Sequence, residues 1–386
     1  MTCPFCGESA RCKGFRTRRI LGLLGPMRLT RHYYHCNHCG HGNSPLDGQL
    51  RLREHDLTAA ADEAVCLAGV VASFAEAAQK TLPRLAGVFV SESTVQRATE
   101  AAGARVGAAR AQGQTFGPVQ DWGWHKDAEG KTVAYVSADA TGVGQQGDKP
   151  GSPAEGRMAH VGMVYNPVPD ERACWTDPSK PHRPDWQGSY VTALTSLSEL
   201  AVPLRSLAAQ VGMERAERWI ALSDGGAGLE DFFRENFGRI EEVILDFWHA
   251  AEYLGKLAKA LHPGQDEASE AWRRVWSGRL KAEGGASVLE GLRGMEVPRG
   301  AAAVREEVVV YFENQKHRMD YPRYVSKGWQ IGSGPVESAC KSVVNQRLKG
   351  AGMRWGEAGA EGVCHLRALY RSQRGQWEAF WNPALN

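Results

Sequence analysis

The chain has 386 residues, 42% of them apolar and 23% charged, with a net charge of only +2, which suits two or three folded domains with sizeable cores. Nine cysteines, an odd number, argue against a disulfide scaffold, and the longest apolar stretch, around Ala64 to Ala75, is too short to cross a bilayer. The first residues hold Cys3-Pro4-Phe5-Cys6 rather than the basic segment and apolar run of a secretory signal, so a reduced, cytoplasmic setting is expected.

The small net charge is unevenly spread. Residues 1–53 carry nine Lys/Arg against two Asp/Glu, and residues 338–374 carry seven against two. Such patches suit a polyanion partner or mark an ordinary solvated face.

In chain order, residues 1–48 contain Cys3-x-x-Cys6 and Cys36-x-x-Cys39. Two such knuckles supply the four thiolates of a tetrahedral zinc site, and the alternative is four reduced cysteines without metal. A hairpin fills the gap, with Arg11, Lys13, Arg16, Arg18 and Arg19 between the knuckles and Tyr33-Tyr34-His35 as the strand into the second. Cys12, His35, His38 and His41 rank below the four cysteines as ligands. A module this small depends on its metal to fold.

Residues 49–112 read as helical: Ala59 to Phe74, Ala75 to Leu85, then a Ser-initiated helix bearing Arg97. The pattern fits the turn and recognition helix of a helix-turn-helix, or a plain helical connector. The Ala/Gly-rich tract Ala101 to Gln114 reads as trailing helix and linker.

From Lys131 the pattern turns to α/β. Thr132 to Ala138 is a near-continuous apolar strand ended by Asp139, Gly142 to Gly156 is an irregular Gly/Pro-rich loop, and Ala159 to Tyr165 is another strand. Ser196 to Val211 is helical. The strand Trp219 to Leu222 leads to Ser223-Asp224-Gly225-Gly226 and an amphipathic helix from Gly228 to Phe237. Val243 to Leu245 leads through Asp246-Phe247-Trp248-His249 into a helix reaching Leu261. Residues 262–325 read as further helices with Gly-rich joints.

Near the C-terminal end, Gly332-Ser333-Gly334-Pro335 reads as a helix start, with proline at the first helical position. Glu337 then falls in the first turn, above the apolar row Cys340, Val344 and Leu348, either as a helix cap or as a carboxylate that needs a cation. Asp139 and Asp224 each follow a buried strand, where open α/β sheets place ligand chemistry. Singly, each aspartate also fits an ordinary turn. Together with Glu337 they are the oxygen ligands that one or two Mg²⁺ ions require, and two such ions can hydrolyse a phosphodiester.

These strings carry a family resemblance. SADATG around Asp139, ALSDGG around Asp224, DFWH at 246–249 and IGSGPVESACKSVVNQRLKGAGMRW at 331–355 resemble bacterial insertion-sequence transposases of the DDE class, nearest the ISKra-type family and more distantly the Mutator-like elements. The likeness runs over nearly the whole chain. It implies an RNase H-like catalytic core (residues 113–261 and 326–386) with a helical insertion at 262–325, preceded by a zinc ribbon and a helix-turn-helix region. It further implies Mg²⁺ (or Mn²⁺) held by Asp139, Asp224 and Glu337, cleavage at the element's ends, and strand transfer of the freed 3′-hydroxyl to target DNA.

Asp246 and His249 would orient DNA or the scissile phosphate, unless they form a core aspartate–histidine hydrogen bond. Lys341, Arg347, Lys349 and Arg354 would meet phosphates near the cut, and Arg16, Arg18, Arg19 and Arg97 would contact DNA outside the core. Trp355 stacks on a flipped base or packs in the core. The expected partner is double-stranded DNA bound by a homo-oligomer, nucleoid-associated and with no membrane. Competing readings are an RNase H-like nuclease without strand joining and a non-enzymatic zinc-ribbon regulator, which leaves the three acids idle.

Overall fold

The computed structural model describes residues 1–52, 56–147, 156–167, 187–373 and 375–382. The chain divides into two compact units. One is Met1–Gly107 with Ala358–Arg367 and the chain around Trp381; the other is Ala108–Glu357 with Ala368–Phe380.

In the first unit, β1 (Ala10–Gly22) and β2 (Gly25–Cys36) form a long antiparallel ribbon, and the short β3 (Gly42–Asn43) pairs with β2. The ribbon's own core is little more than Cys3, Ala10 and Cys36. The helix expected to reach Phe74 stops at Val71, because Ser73 begins a new one by accepting a hydrogen bond from the Glu76 amide at 3.2 Å. That second helix contains a π turn, Ala77–Thr81, and ends at Ala86. The third, Glu92–Ala111, starts at Ser91, whose hydroxyl accepts from the Thr94 amide at 3.2 Å. It buries Val95, Ala98, Ala102 and Val106 and leaves Arg97 exposed.

The Ala/Gly tract is helix up to Ala111, and its small residues serve packing. A Cβ on Gly103 would stand 1.8 Å from the Gly362 carbonyl, so the helices Glu92–Ala111 and Glu357–Arg371 meet backbone to backbone.

The second unit is mixed α/β. Its sheet has the order β7-β6-β5-β8-β9, with β4 (His125–Lys126) pairing the start of β5. Here β5 is Thr132–Val143, β6 Arg157–Asn166, β7 Gln187–Ala193, β8 Arg218–Ser223 and β9 Ile240–Leu245. The pairs β5/β6 and β6/β7 are antiparallel, whereas β5/β8 and β8/β9 are parallel. One face of the sheet, including Ala134, Val136, Ala138, Ala221 and Val243, packs with Trp122, Leu204, Leu207, Phe232 and Phe233 in a single core. Strand alternation turns Tyr135, Ser137 and Asp139 to the opposite face.

The helices after β9 are anchored at its carboxyl end. Arg318 is buried and donates from Nε to the Val243 carbonyl at 3.1 Å, and the Tyr321 hydroxyl donates to the Leu245 carbonyl at 3.1 Å. The long helix Asp266–Arg293 breaks at Gly284, whose φ of 83° favours glycine. Among the described residues no helix is long and apolar enough to cross a membrane.

Candidate active site and candidate metal centre

Strand register brings three aspartates into one row. The parallel pairing of β5 with β8 ends at Ser137↔Leu222, and that of β8 with β9 at Ser223↔Leu245. Asp139, Asp224 and Asp246 therefore leave three adjacent strands at about the same level, on the carboxyl edge where α/β sheets bind ligands. The expectation that Asp139 ends its strand is corrected. β5 continues through Val143, because Ala140 to Val143 still pair with β6 residues His160 to Arg157. Asp139 is at an end only with respect to β8. Of the Gly142 to Gly156 loop, residues 148–155 lie outside the described residues.

Glu337 comes from the helix Gly334–Ala339, which begins at Gly334, one residue before the proline that the sequence reading places first, and runs on through a π turn, Cys340–Asn345. Cys340, Val344 and Leu348 are buried beneath it, as expected, and Val343 joins them. Asp139, Asp224, Asp246, His249 and Glu337 all line one cavity of about 340 Å³, together with Trp248, Glu252, Ser333 and Gly334. Asp246 is buried, Asp139 and Asp224 are half-buried and Glu337 is exposed.

The carboxylates are held by donors rather than by cations. Asp139 accepts from the Ala140 amide at 2.6 Å, Asp224 from the Gly226 amide at 2.9 Å, and Asp246 from the Trp248 amide at 3.0 Å as the N-cap of the helix Phe247–Leu261. Ser333 Oγ lies 2.8 Å from Asp246 Oδ2 and 3.0 Å from Glu337 Oε1, so one hydroxyl proton is shared between two carboxylates.

Among the described residues none of the four acids forms an ion pair. Burial pushes the Asp139 carboxyl above its usual range; the Ala140 amide opposes this, and the charges of Asp224 and Glu337 add to it. The Cys340 thiol donates to Asp139, and burial followed by the Asp139 charge pushes that thiol far up.

His249 points to Glu252, with Nδ1 3.7 Å from its carboxylate, and packs against Tyr253 and Tyr311. An Asp246–His249 hydrogen bond is absent among the described residues. Sequence reasoning missed Ser333 and Glu252. The first stands inside the Gly-Ser-Gly-Pro string already singled out, and the second is three residues beyond His249 on the same helix.

Of the basic residues expected at phosphates, Lys341, Lys349 and Arg354 are exposed, and Lys349 donates to Thr141 at 2.6 Å. Arg347 is a correction. It is only 3% exposed, with its guanidinium 5.0 Å from the centre of the Trp355 ring. Its place three and four residues beyond buried Val344 and Val343 explains the inward turn. Trp355 is likewise a core residue, donating from its indole to the Leu348 carbonyl at 3.1 Å.

The second site lies in the ribbon. Cys3 and Cys39 sulfurs are 3.6 Å apart, as are those of Cys6 and Cys36, and all four lie within 4.8 Å of one another. A tetrahedron of thiolates at about 2.3 Å from zinc has sulfurs about 3.8 Å apart, so this cluster can hold a structural zinc. Backbone amides, that of Cys39 foremost, lower the Cys36 thiol to about 7, whereas Cys6 is pushed up to about 12 and Cys39 is also raised, so without metal the cluster favours a single thiolate. Cys12, His35, His38 and His41 stand outside the cluster. Among the described residues no other group brings three or more such ligand atoms within 4.8 Å; the carboxylates line their cavity without closing to that spacing.

No family model matches this chain, and no curated protein matches it significantly.

Proposed function

We propose that the chain is a DDE-type DNA transposase, which binds the ends of an insertion sequence and catalyses strand cleavage and strand transfer. One observation carries the reading. Asp139, Asp224 and Glu337, from two adjacent strands and a helix almost 200 residues beyond the first, converge on one cavity with no Lys or Arg among its described lining residues. Like charges gathered in this way call for an external cation. The donor set is all oxygen, which suits Mg²⁺ or Mn²⁺, and Mg²⁺ keeps several waters and needs only one or two direct carboxylates. The wider spacing of these acids is therefore compatible with such an ion.

When bound, the metal supplies an activated water and neutralises charge on the phosphate. The chain's own residues do the rest. Asp139, fixed by the Ala140 amide, and Asp224, fixed by the Gly226 amide, line the cavity with their carboxylates. Ser333 holds Glu337 against Asp246, so the helix start is tied to the sheet edge. His249 and exposed Trp248 stand at the cavity wall, and Lys341, Lys349 and Arg354 offer positive charge beyond Glu337.

The six-stranded mixed sheet, with acids where the parallel pairings β5/β8 and β8/β9 end and helices inserted before Glu337, supports an RNase H-like core. The cysteine cluster and the helix carrying Arg97 support a DNA-binding N-terminal region. A donor plasmid with the element's ends, incubated with Mg²⁺, should yield cleaved ends and joined products. Glu337→Gln should abolish both while DNA binding persists. Near-normal activity of that variant overturns the reading, and cleavage without joining reduces it to a nuclease.

A further inference from the structure

The β1/β2 ribbon has two unlike faces, one largely engaged within the chain and one open. Cross-strand pairs place Ile20 with Met27, Arg18 with Leu29 and Arg16 with Arg31 on one face. That face is engaged internally. Arg18 pairs with Asp47 and Asp56, Arg31 holds Asp47 at 2.7 Å, and the Arg16 guanidinium lies 3.7 Å above the Tyr33 ring. Arg31 accordingly draws the Asp47 carboxyl below its usual range.

The other face carries the pairs Arg19/Arg28, Thr17/Thr30, Phe15/His32 and Cys12/Tyr34. It is open: Phe15 is 66% exposed, and Arg19, Arg28, Thr30 and His32 are all exposed. Among the described residues neither Arg19 nor Arg28 has a side-chain hydrogen bond or ion pair, and no acid stands on this face. The rings of Phe15 and His32 pack at its middle with centroids 4.1 Å apart and planes tilted by 35°.

We propose that this face of the ribbon is the surface that enters the major groove of duplex DNA, with Arg19 and Arg28 on phosphates or guanine edges and Thr17, Thr30 and Phe15 against the bases. The inference rests on the reading of the chain as a DNA-binding enzyme and says which atoms of the ribbon meet the duplex. Four arguments favour this occupant. The face is positively charged without internal neutralisation, as a polyanion partner requires. A two-stranded ribbon, with strands about 4.8 Å apart, fits a major groove about 12 Å wide. Its outward face from Cys12 to Arg19 runs roughly 20 Å, enough to follow the groove. Arginine reads guanine O6 and N7 there, and Thr and Phe suit the thymine methyl.

The test uses the full zinc-loaded chain and a 30-base-pair mixed-sequence duplex, read by fluorescence anisotropy over a salt series. The double variant Arg19→Gln/Arg28→Gln should lose at least about tenfold in affinity at moderate salt. It should also flatten the slope of log K against log salt by about 1.8, at roughly 0.9 for each phosphate no longer neutralised. Arg16→Gln, on the engaged face, should change the slope by less than about half a unit on the same scale. Unchanged zinc content and circular dichroism show that the variants fold.

Cys12 gives a readout needing no substitution. It is exposed on the proposed face, 3.6 Å from His32 Nδ1, so saturating duplex should slow its alkylation by N-ethylmaleimide, followed by mass spectrometry of its peptide. An unchanged salt slope in the double variant, an equal effect of Arg16→Gln, an unprotected Cys12, or no duplex binding by the parent overturns the inference. So does equal protection by duplex RNA, whose major groove is too narrow for the ribbon. A parent enzyme that cleaves DNA while Cys12 stays unprotected fails this inference alone. A Glu337→Gln enzyme that cleaves normally while Cys12 is protected fails the functional reading alone.

Discussion

The four-cysteine cluster, which can hold a zinc, and the acidic cavity, to which we assign Mg²⁺ as a proposal, are built in opposite ways. The cysteines come as two local pairs on the flanks of one hairpin, and backbone pairing from Ala10↔Cys36 onward brings them together. Their sulfurs already lie at ligand spacing. The acids come from Asp139, Asp224, Asp246 and Glu337, gathered by a sheet and a helix, and they remain apart, held by amides and a serine hydroxyl. The first arrangement makes metal part of the fold. The second is held by protein donors without metal, and under the proposed function it leaves room for the water and substrate that a catalytic site requires.

The largest effect that would test this contrast is metal removal from the ribbon. Cys36→Ser/Cys39→Ser should lose about one zinc per chain and unfold the module, because structural zinc is worth on the order of 10 kcal/mol in such small domains. Metal analysis with limited proteolysis checks this; a protease-resistant, zinc-free ribbon would erase the difference between the two sites. Next in size, Asp224→Asn and Glu337→Gln should each reduce strand cleavage by roughly a thousandfold or more while the melting temperature stays near the parent's. A double variant should be little worse than either single one, since residues acting as a unit are not additive.

A smaller change should follow at Ser333. Ser333→Ala frees Glu337 from Asp246 and should cost about 10–100-fold in cleavage, the range for residues that orient metal ligands. The Mg²⁺ concentration needed for half-maximal rate should rise, and Ser333→Thr should restore much of it. A change in stability alone, with the Mg²⁺ dependence untouched, would make Ser333 structural.

Arg347 separates core from surface within the same helix. Arg347→Ala should lower the melting temperature by about 5 °C, because its guanidinium no longer packs on the Trp355 ring, with DNA affinity nearly unchanged. Lys341→Gln should do the reverse, leaving stability alone and weakening DNA binding.

The smallest effect concerns Asp139. Its folded carboxyl titrates above the unfolded value of 3.8, so the native state binds the proton more tightly. Stability without metal should therefore fall as pH rises through the folded pKa and recover on acidification towards 3.8. Asp139→Asn, measured in chelator at pH 7, should melt on the order of 2 °C above the parent, with the gain shrinking as pH falls. Divalent cation should reverse the order by stabilising only the parent. If Asp139→Asn is less stable in chelator, burial of the Asp139 charge, with the neighbouring charges of Asp224 and Glu337, does not cost the folded state stability.

Those parts of the protein whose physics is local could be read from the order of its residues. Two Cys-x-x-Cys knuckles, the proline-led helix start before Glu337, the serine that opens the helix at Glu92 and the apolar strand runs all reflect forces acting over a few residues. Much of the element order of the α/β unit was legible for that reason, though not the short β4 or the edge strand β7, as was the choice of Asp139, Asp224 and Glu337 as residues of interest. What depends on pairing between distant segments emerged only in the folded chain. Register across β5, β8 and β9 put Asp246 in line with the two strand aspartates, and packing placed Ser333 between Asp246 and Glu337. Folding also turned Arg347 inward onto Trp355 and divided the ribbon's arginines between an engaged face and an open one. By composition those arginines form one basic cluster. Ion pairing with Asp47 and Asp56 distinguishes them, and these partners lie 16 to 38 residues away in the chain.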